Sequence, residues 1–245
     1  MIAFNNFIPL IILRSFHRVD EASFFCKKNI RMKKLTILPI AAELTNTLDY
    51  HTLSKLLSNL ESHSLEFNNW SESFPYKPEV QFKIGYTREY LVLQYDVVEE
   101  QLRGNYSDTN QNVWEDSCVE FFISFDGRKH YYNLEFNLIG TGLIGYGPAE
   151  KASRNRLDST TIEQVRTYSL IERNGSDKRW SMIEVIPFAV FQFDDLVDLK
   201  GKRIHGNFYK CGDHLKQPHF ISWNKIENPT PNFHLPEFFG EMVFG

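Results

Sequence analysis

Val119-Glu-Phe-Phe-Ile-Ser-Phe125, an Asp126-Gly127 turn and the return run Tyr131-Tyr-Asn-Leu-Glu-Phe-Asn-Leu-Ile139 decide the fold class. Successive side chains of a strand point to opposite faces. Val119, Phe121, Ile123 and Phe125 therefore share one face of the first run, and Glu120, Phe122 and Ser124 the other. On the return, Tyr132, Leu134, Phe136 and Leu138 share a face, with Asn133, Glu135 and Asn137 opposite. Any register that keeps the apolar faces together also gathers Glu120, Asn133, Glu135 and Asn137 on a common polar face. Such a hairpin needs a second layer on its apolar side.

The flanking sequence supplies that layer. Runs at 80–86 and 90–98 alternate in the same way around Thr87-Arg88-Glu89, and further strands are expected at 164–172, 180–186, 207–211, 220–223 and 241–244. Leucines at 48, 53, 56, 57 and 60 predict one helix over 48–60. A helical turn is expected at 187–191, and a mobile loop at 145–158, which carries Lys151, Arg154 and Arg156. The expected fold is all-β, a β-sandwich of jelly-roll or immunoglobulin-like two-sheet architecture with a short N-terminal helix. It forms one domain over 32–245. Residues 1–31 read as a disordered or mis-assigned extension, because their apolar run precedes its basic residues, the reverse of an export signal. An export signal is the alternative.

Composition narrows the function. The 36 aromatic residues (21 Phe, 11 Tyr, 4 Trp) suit sheets. A net charge of −4 argues against general nucleic-acid binding. No apolar run approaches the ~18 residues of a membrane span. Three cysteines make no disulfide framework, and Cys118 and Cys211 lie inside strand-like runs, so a reducing, cytoplasmic location is expected.

Phosphate-loop, dinucleotide and nucleophile-elbow motifs are missing from the sequence. Cys211, Asp213, His214 and His219 crowd together, but their spacing matches no zinc pattern. Glu120 and Glu135 admit three readings: a solvated outer face, the carboxylate pair of a glycoside hydrolase (with Asp116 as another partner for Glu120), or acceptors for sugar hydroxyls. Trp114 and Phe233 sit in polar or proline-stiffened loops, where each ring either plugs a core end or stacks on a ligand.

The segment Trp114-Glu-Asp-Ser-Cys-Val-Glu120-Phe-Phe-Ile resembles the W-E-x-D-S-V-E-[IF]-F segment of family 9 carbohydrate-binding modules. Tyr132-Asn-Leu-Glu-Phe-Asn137 is similar to the family's next strand. Phe220-Ile-Ser-Trp223 with Asn232-Phe-His-Leu-Pro-Glu-Phe-Phe-Gly240 resembles its C-terminal close. The likeness runs from about Val80 to Gly245. It implies a β-sandwich in which two aromatic rings clamp the terminal sugar of a β-glucan or xylan chain, in the service of carbohydrate catabolism. Trp114 and Glu120 match the family's first ring and its glutamate. The second ring falls on Phe233, a family arginine becomes Glu135, and a glutamine falls near Lys210. By this resemblance the ligand-binding set is Trp114, Glu120, Glu135, Asn137, Lys210 and Phe233, the partner is an oligo- or polysaccharide, and no cofactor is required. The family also carries structural calcium, for which no Asp-rich loop stands out here. Related sandwiches bind haem, for which Met182, Met242 and the histidines are candidate ligands, with no pairing that stands out.

Overall fold

The computed structural model describes residues 32–45, 47–174 and 177–245. The expectation for residues 1–31 lies outside the described residues. Fourteen strands are found among those described: β1 (Lys34–Pro39), β2 (His63–Ser64), β3 (Phe67–Asn68), β4 (Glu79–Tyr86), β5 (Tyr90–Glu99), β6 (Cys118–Ser124), β7 (Tyr131–Asn137), β8 (Gly142–Gly147), β9 (Asn155–Arg156), β10 (Arg166–Asn174), β11 (Asp177–Pro187), β12 (Arg203–Cys211), β13 (Phe220–Ser222) and β14 (Gly240–Phe244). Helix α1 spans Tyr50–Leu57.

The strands form one hydrogen-bonded path that folds over on itself, in the order β10-β11-β5-β4-β1-β14-β12-β6-β7-β8-β9. β1 makes the corner. Its first half runs parallel to β14, from Lys34 beside Glu241 to Ile37 beside Phe244, and Leu38 and Pro39 then pair with β4. The all-β sandwich follows, with Phe82 and Tyr95 of one layer packed against Phe121, Leu134 and Phe208 of the other. At its centre Phe82 stacks on Phe208 at 3.8 Å, and Phe208 on Phe121 at 4.6 Å. Stacked ring contacts add stabilisation beyond area burial.

The hairpin that decides the fold forms in the expected phase. Val119 faces Phe136, Phe121 faces Leu134, and Glu120 lies directly opposite Glu135. Gly127 turns it with φ of +78°, a conformation that costs glycine little. Helix α1 is shorter than expected because Asp49 caps it, accepting from Thr52 N at 2.8 Å. Its Leu53 and Leu57 cover Val92, Ile183 and Val185 on the outer side of the β4–β5–β11 layer. Among the described residues no helix is long and apolar enough to cross a membrane.

Five strands depart from expectation, β1, β8 and the two-residue β2, β3 and β9. β1 has only Leu35 and Ile37 as buried alternating positions, too short a signal to stand out. β8 begins within the expected connection and runs into the stretch read as a mobile loop, which also holds a 3-10 turn at Lys151–Ser153 and β9. Residues 145–158 are therefore largely built structure.

Candidate functional site

The outward face of β6, β7 and β12 is covered by loops rather than by water. Val113, Phe122, Tyr131, Tyr209, Phe233 and Phe239 form a second apolar cluster there. Within this cover a cavity of about 410 Å³ remains, with Glu120, Asn133, Glu135 and Cys211 among its lining residues. The polar face read from the sequence is therefore buried, with Glu120 3 % and Glu135 5 % exposed. Gly145 stands beside Asn133 across β7 and β8, and a Cβ there would lie 2.6 Å from Asn133 Oδ1. Glycine at this position lets the amide reach the cavity.

Each carboxyl has one protein partner on the cavity side. Asn133 Nδ2 donates to Glu135 Oε1 at 2.8 Å, and Cys211 Sγ donates to Glu120 Oε1 at 2.9 Å. Burial, and then the charge of Glu135, holds the Glu120 carboxyl well above the usual range. Burial also raises Glu135, opposed by the Asn133 amide and by the cations of Arg156 and Arg154. Two desolvated carboxyls in directly opposed positions cannot both ionise cheaply, so at neutral pH the pair retains a proton. Asp213, on the same cavity, is raised to about 6 by burial. The floor therefore offers both hydrogen-bond donors and acceptors, as a hydroxylated ligand requires.

The walls come from distant loops. Trp114 lies on the 3-10 turn Val113–Glu115, half-buried, with the Arg156 guanidinium 5.6 Å from its ring centre. Phe233 lines the cavity but is more buried than expected, because Tyr209 stacks on it at 4.2 Å and 11°. Arg154 lies over the Tyr131 ring at 3.8 Å and donates to the Gly147, Pro148 and Tyr131 carbonyls and to Asn133 Oδ1. His234 pairs with the Tyr131 hydroxyl at 2.9 Å. Burial, then Arg154 and Lys151, lowers it to about 4, so the ring is neutral at pH 7. Asn133, Lys151, Arg154, Arg156, Asp213 and His234 thus join the cavity without having been singled out for it. The run of basic residues at 151–156 was the available signal.

Of the six residues taken from the sequence, the structure brings together Trp114, Glu120, Glu135 and Phe233. Asn137 is on the expected face but lies away from the cavity. Its amide donates to Tyr106 O at 2.8 Å and Asp116 Oδ2 at 2.9 Å, and its Oδ1 accepts from Thr141 N. Lys210 faces the other way, between the layers. It is fully buried, 2.9 Å from Glu99 Oε2. Asp116 is likewise not a cavity acid: its Oδ2 accepts from the Asn105 and Tyr106 amides and holds their loop.

Cys211, Asp213, His214 and His219, neighbours in sequence, do not converge as a ligand set among the described residues. His219 lies against Lys210 and Gln217 O, and His214 pairs with Glu115 at 2.9 Å. Met182 and Met242 pack in the inter-layer core among apolar side chains, which removes the basis for haem ligation by them. Among the described residues one group of three candidate ligands does come together, Cys118, Glu120 and Cys211. Two thiols and a carboxylate are a soft set, unlike the all-oxygen shell of calcium, so this group does not fit the calcium implied by the resemblance. A larger open groove of about 910 Å³ lies between β1 and the 61–66 segment. Its charged walls include the mutual pairs Lys34–Glu241 and Lys33–Glu66, and none of the residues singled out from the sequence for a sugar ligand lines it.

Comparison with known proteins gives the family and the fold. The family model for carbohydrate-binding family 9 matches residues 51–244, a longer stretch than the motifs alone suggested. A crystal structure of a Bacteroides uniformis protein, provisionally described as carbohydrate-binding, is 37% identical, with a TM-score of 0.79 over 87% of this chain and 100% of that one. A family 9 carbohydrate-binding module from Caldicellulosiruptor kristjanssonii in complex with cellotriose shares the fold at 13% identity, with a TM-score of 0.54 over 86% of this chain and 93% of that one. The glucose complex of a family 9 module from that organism gives 13% identity and a TM-score of 0.55, over 87% and 96%. No curated protein matches the chain.

Proposed function

The chain belongs to carbohydrate-binding family 9, and from that premise we propose that it is a non-catalytic protein that holds the end of a β-glucan- or xylan-type oligosaccharide in the cavity over β6, β7 and β12. The observation that carries this reading is the convergence of the half-buried Trp114 ring with Glu120, Asn133, Glu135 and Asp213 on one cavity of about 410 Å³. A ring meets the C–H face of a sugar, and a few placed polar groups meet its hydroxyls. The cellotriose and glucose complexes of family 9 modules from Caldicellulosiruptor kristjanssonii support the choice of ligand class. In carbohydrate catabolism such a protein retains a saccharide for other enzymes to cleave.

Stacking one sugar face on Trp114 removes on the order of 100 Å² of largely apolar surface from water, worth roughly 2–3 kcal/mol before ordering costs. Affinity for soluble oligosaccharides is expected in about the micromolar to millimolar range. Trp114→Ala should weaken it at least about tenfold, ~1.4 kcal/mol, by calorimetry. Because the ring is only half-buried, the same variant should lose little stability. Unchanged affinity with a large drop in melting temperature would make Trp114 a structural plug and remove this reading.

The raised carboxyl pair also invites a hydrolase reading, and its cross-strand spacing alone does not oppose one. A retaining glycosidase needs one carboxyl ionised as the nucleophile beside a protonated acid, whereas burial raises both Glu120 and Glu135. We expect no release of reducing sugar from xylo- or gluco-oligosaccharides between about pH 4 and 9, a range covering carboxylate and histidine titration. Release that disappears in Glu120→Gln would restore the enzyme.

A further inference from the structure

Cys118 and Cys211 are direct neighbours across β6 and β12, and Glu120 follows two residues on along the same face. The two sulfurs and a carboxylate oxygen lie within 4.8 Å of one another, and the Cys211 sulfur is already 2.9 Å from Glu120 Oε1. We propose that Cys118, Glu120 and Cys211 bind a thiophilic d10 cation of the zinc class, with a coordination position left open toward the cavity. This inference goes beyond the sugar reading and does not depend on it.

The spacing suits such an ion. Tetrahedral zinc, at its usual bond lengths, sets two sulfurs about 3.8 Å apart and a sulfur and an oxygen about 3.6 Å apart. Coordination also has little to displace. Besides the Cys211–Glu120 and Cys118–Cys211 contacts, which it replaces, Cys118 Sγ meets the Val119 carbonyl at 3.6 Å and Cys211 Sγ the Trp114 carbonyl at 3.5 Å.

The donor set selects the ion. Paired thiolates favour zinc, cadmium and copper(I) over calcium or magnesium. Structural zinc sites close with four protein ligands, whereas three leave one position for an outside group. Cys211 and Glu120 line the cavity, which places that position there. Two thiolates and a carboxylate carry three negative charges, so a divalent ion leaves one, and Lys151, Arg154 and Arg156 line the same cavity.

The test uses the full-length protein under a non-thiol reductant, titrated with Cd2+ and followed by thiolate-to-metal charge-transfer absorbance, with Zn2+ as competitor. The expected result is a band saturating at one ion per chain, with release of about two to three protons as both thiols ionise and the Glu120–Glu135 pair gives up its proton. Cys26→Ser, which removes the remaining cysteine of the sequence, should leave the band unchanged. Cys118→Ser and Cys211→Ser should each weaken Zn2+ binding by at least about a hundredfold, and Glu120→Gln by about tenfold. Circular dichroism checks that each variant is folded. If a serine variant does not fold, the 113Cd NMR shift of the unmodified protein decides, since two-sulfur coordination resonates well apart from all-oxygen coordination. The proposal is overturned by the absence of a saturable band, by its persistence in a folded Cys118→Ser/Cys211→Ser variant, by its loss in Cys26→Ser, or by an all-oxygen cadmium shift.

Discussion

Lys210→Met is expected to destabilise the fold by about 3–5 kcal/mol, because it leaves the Glu99 carboxylate buried without its cation. Both side chains are wholly inaccessible and 2.9 Å apart. Trp180 Nε1 donates to Glu99 Oε1 at 2.7 Å, while Lys210 Nζ also donates to Cys211 O at 2.8 Å and to His219 Nε2 at 2.9 Å. The His219 ring is held neutral, at about 2, by burial and by the Lys210 cation, so it supplies no replacement charge. Removing both charges should cost much less. Lys210→Met combined with Glu99→Gln keeps an acceptor for Trp180 and should recover at least about half of the loss. Urea midpoints at unchanged m-value read both quantities. A single-variant loss below about 1 kcal/mol would show that the pair is not held as described. Sugar affinity of the folded Lys210→Met protein should stay close to that of the parent, since Lys210 lies between the layers and not on the cavity.

That placement shows where the sequence was legible and where it was not. Period-two alternation carried β6 and β7 with their faces and put Glu120 and Glu135 on one of them, while the register that opposes them came only with the fold. Applied to β12, the same rule puts Lys210 in phase with Ile204 and Phe208, on the inner face. The family resemblance drew it to the other side. Asn137 has the correct phase, but hydrogen bonds to Tyr106 and Asp116 at the strand end claim its amide. Burial of the polar face could not be read, because its cover comes from segments far apart in the chain, such as Trp70, Val113 and Phe233. β8 escaped notice for a local reason. Its three glycines lower strand propensity, yet Gly145 is there to clear Asn133. Lys151, Arg154 and Arg156 looked like solvated loop charges until the fold brought buried carboxyls beneath them.

Glu184→Gln is expected to raise stability by about 4 kcal/mol above pH 9 and to change it little near pH 4. Glu184 lies on β11 in phase with Met182 and Ile186, on the core side of its layer, 1 % exposed. Among the described residues no cation pairs with its carboxyl, and burial alone pushes it up to about 8 from an ordinary 4.5. A raised carboxyl binds its proton more tightly in the folded chain than in the unfolded one. Its contribution is therefore fully present below about pH 4.5, and it is lost as the pH rises through about 8, where folding must either strip the buried charge of water or retain the proton. The shift of about 3.5 pH units sets an upper limit near 5 kcal/mol, and relaxation around the charge reduces it. Glutamine keeps the shape and removes the titration. The difference between the two stability–pH curves isolates this one group from Glu120, Glu135 and Asp213, whose raised values bend both curves alike. Urea melts at about pH 4, 7 and 9 on both proteins supply it. Parallel curves across that range would mean that water or a rotated side chain solvates Glu184 in the folded state.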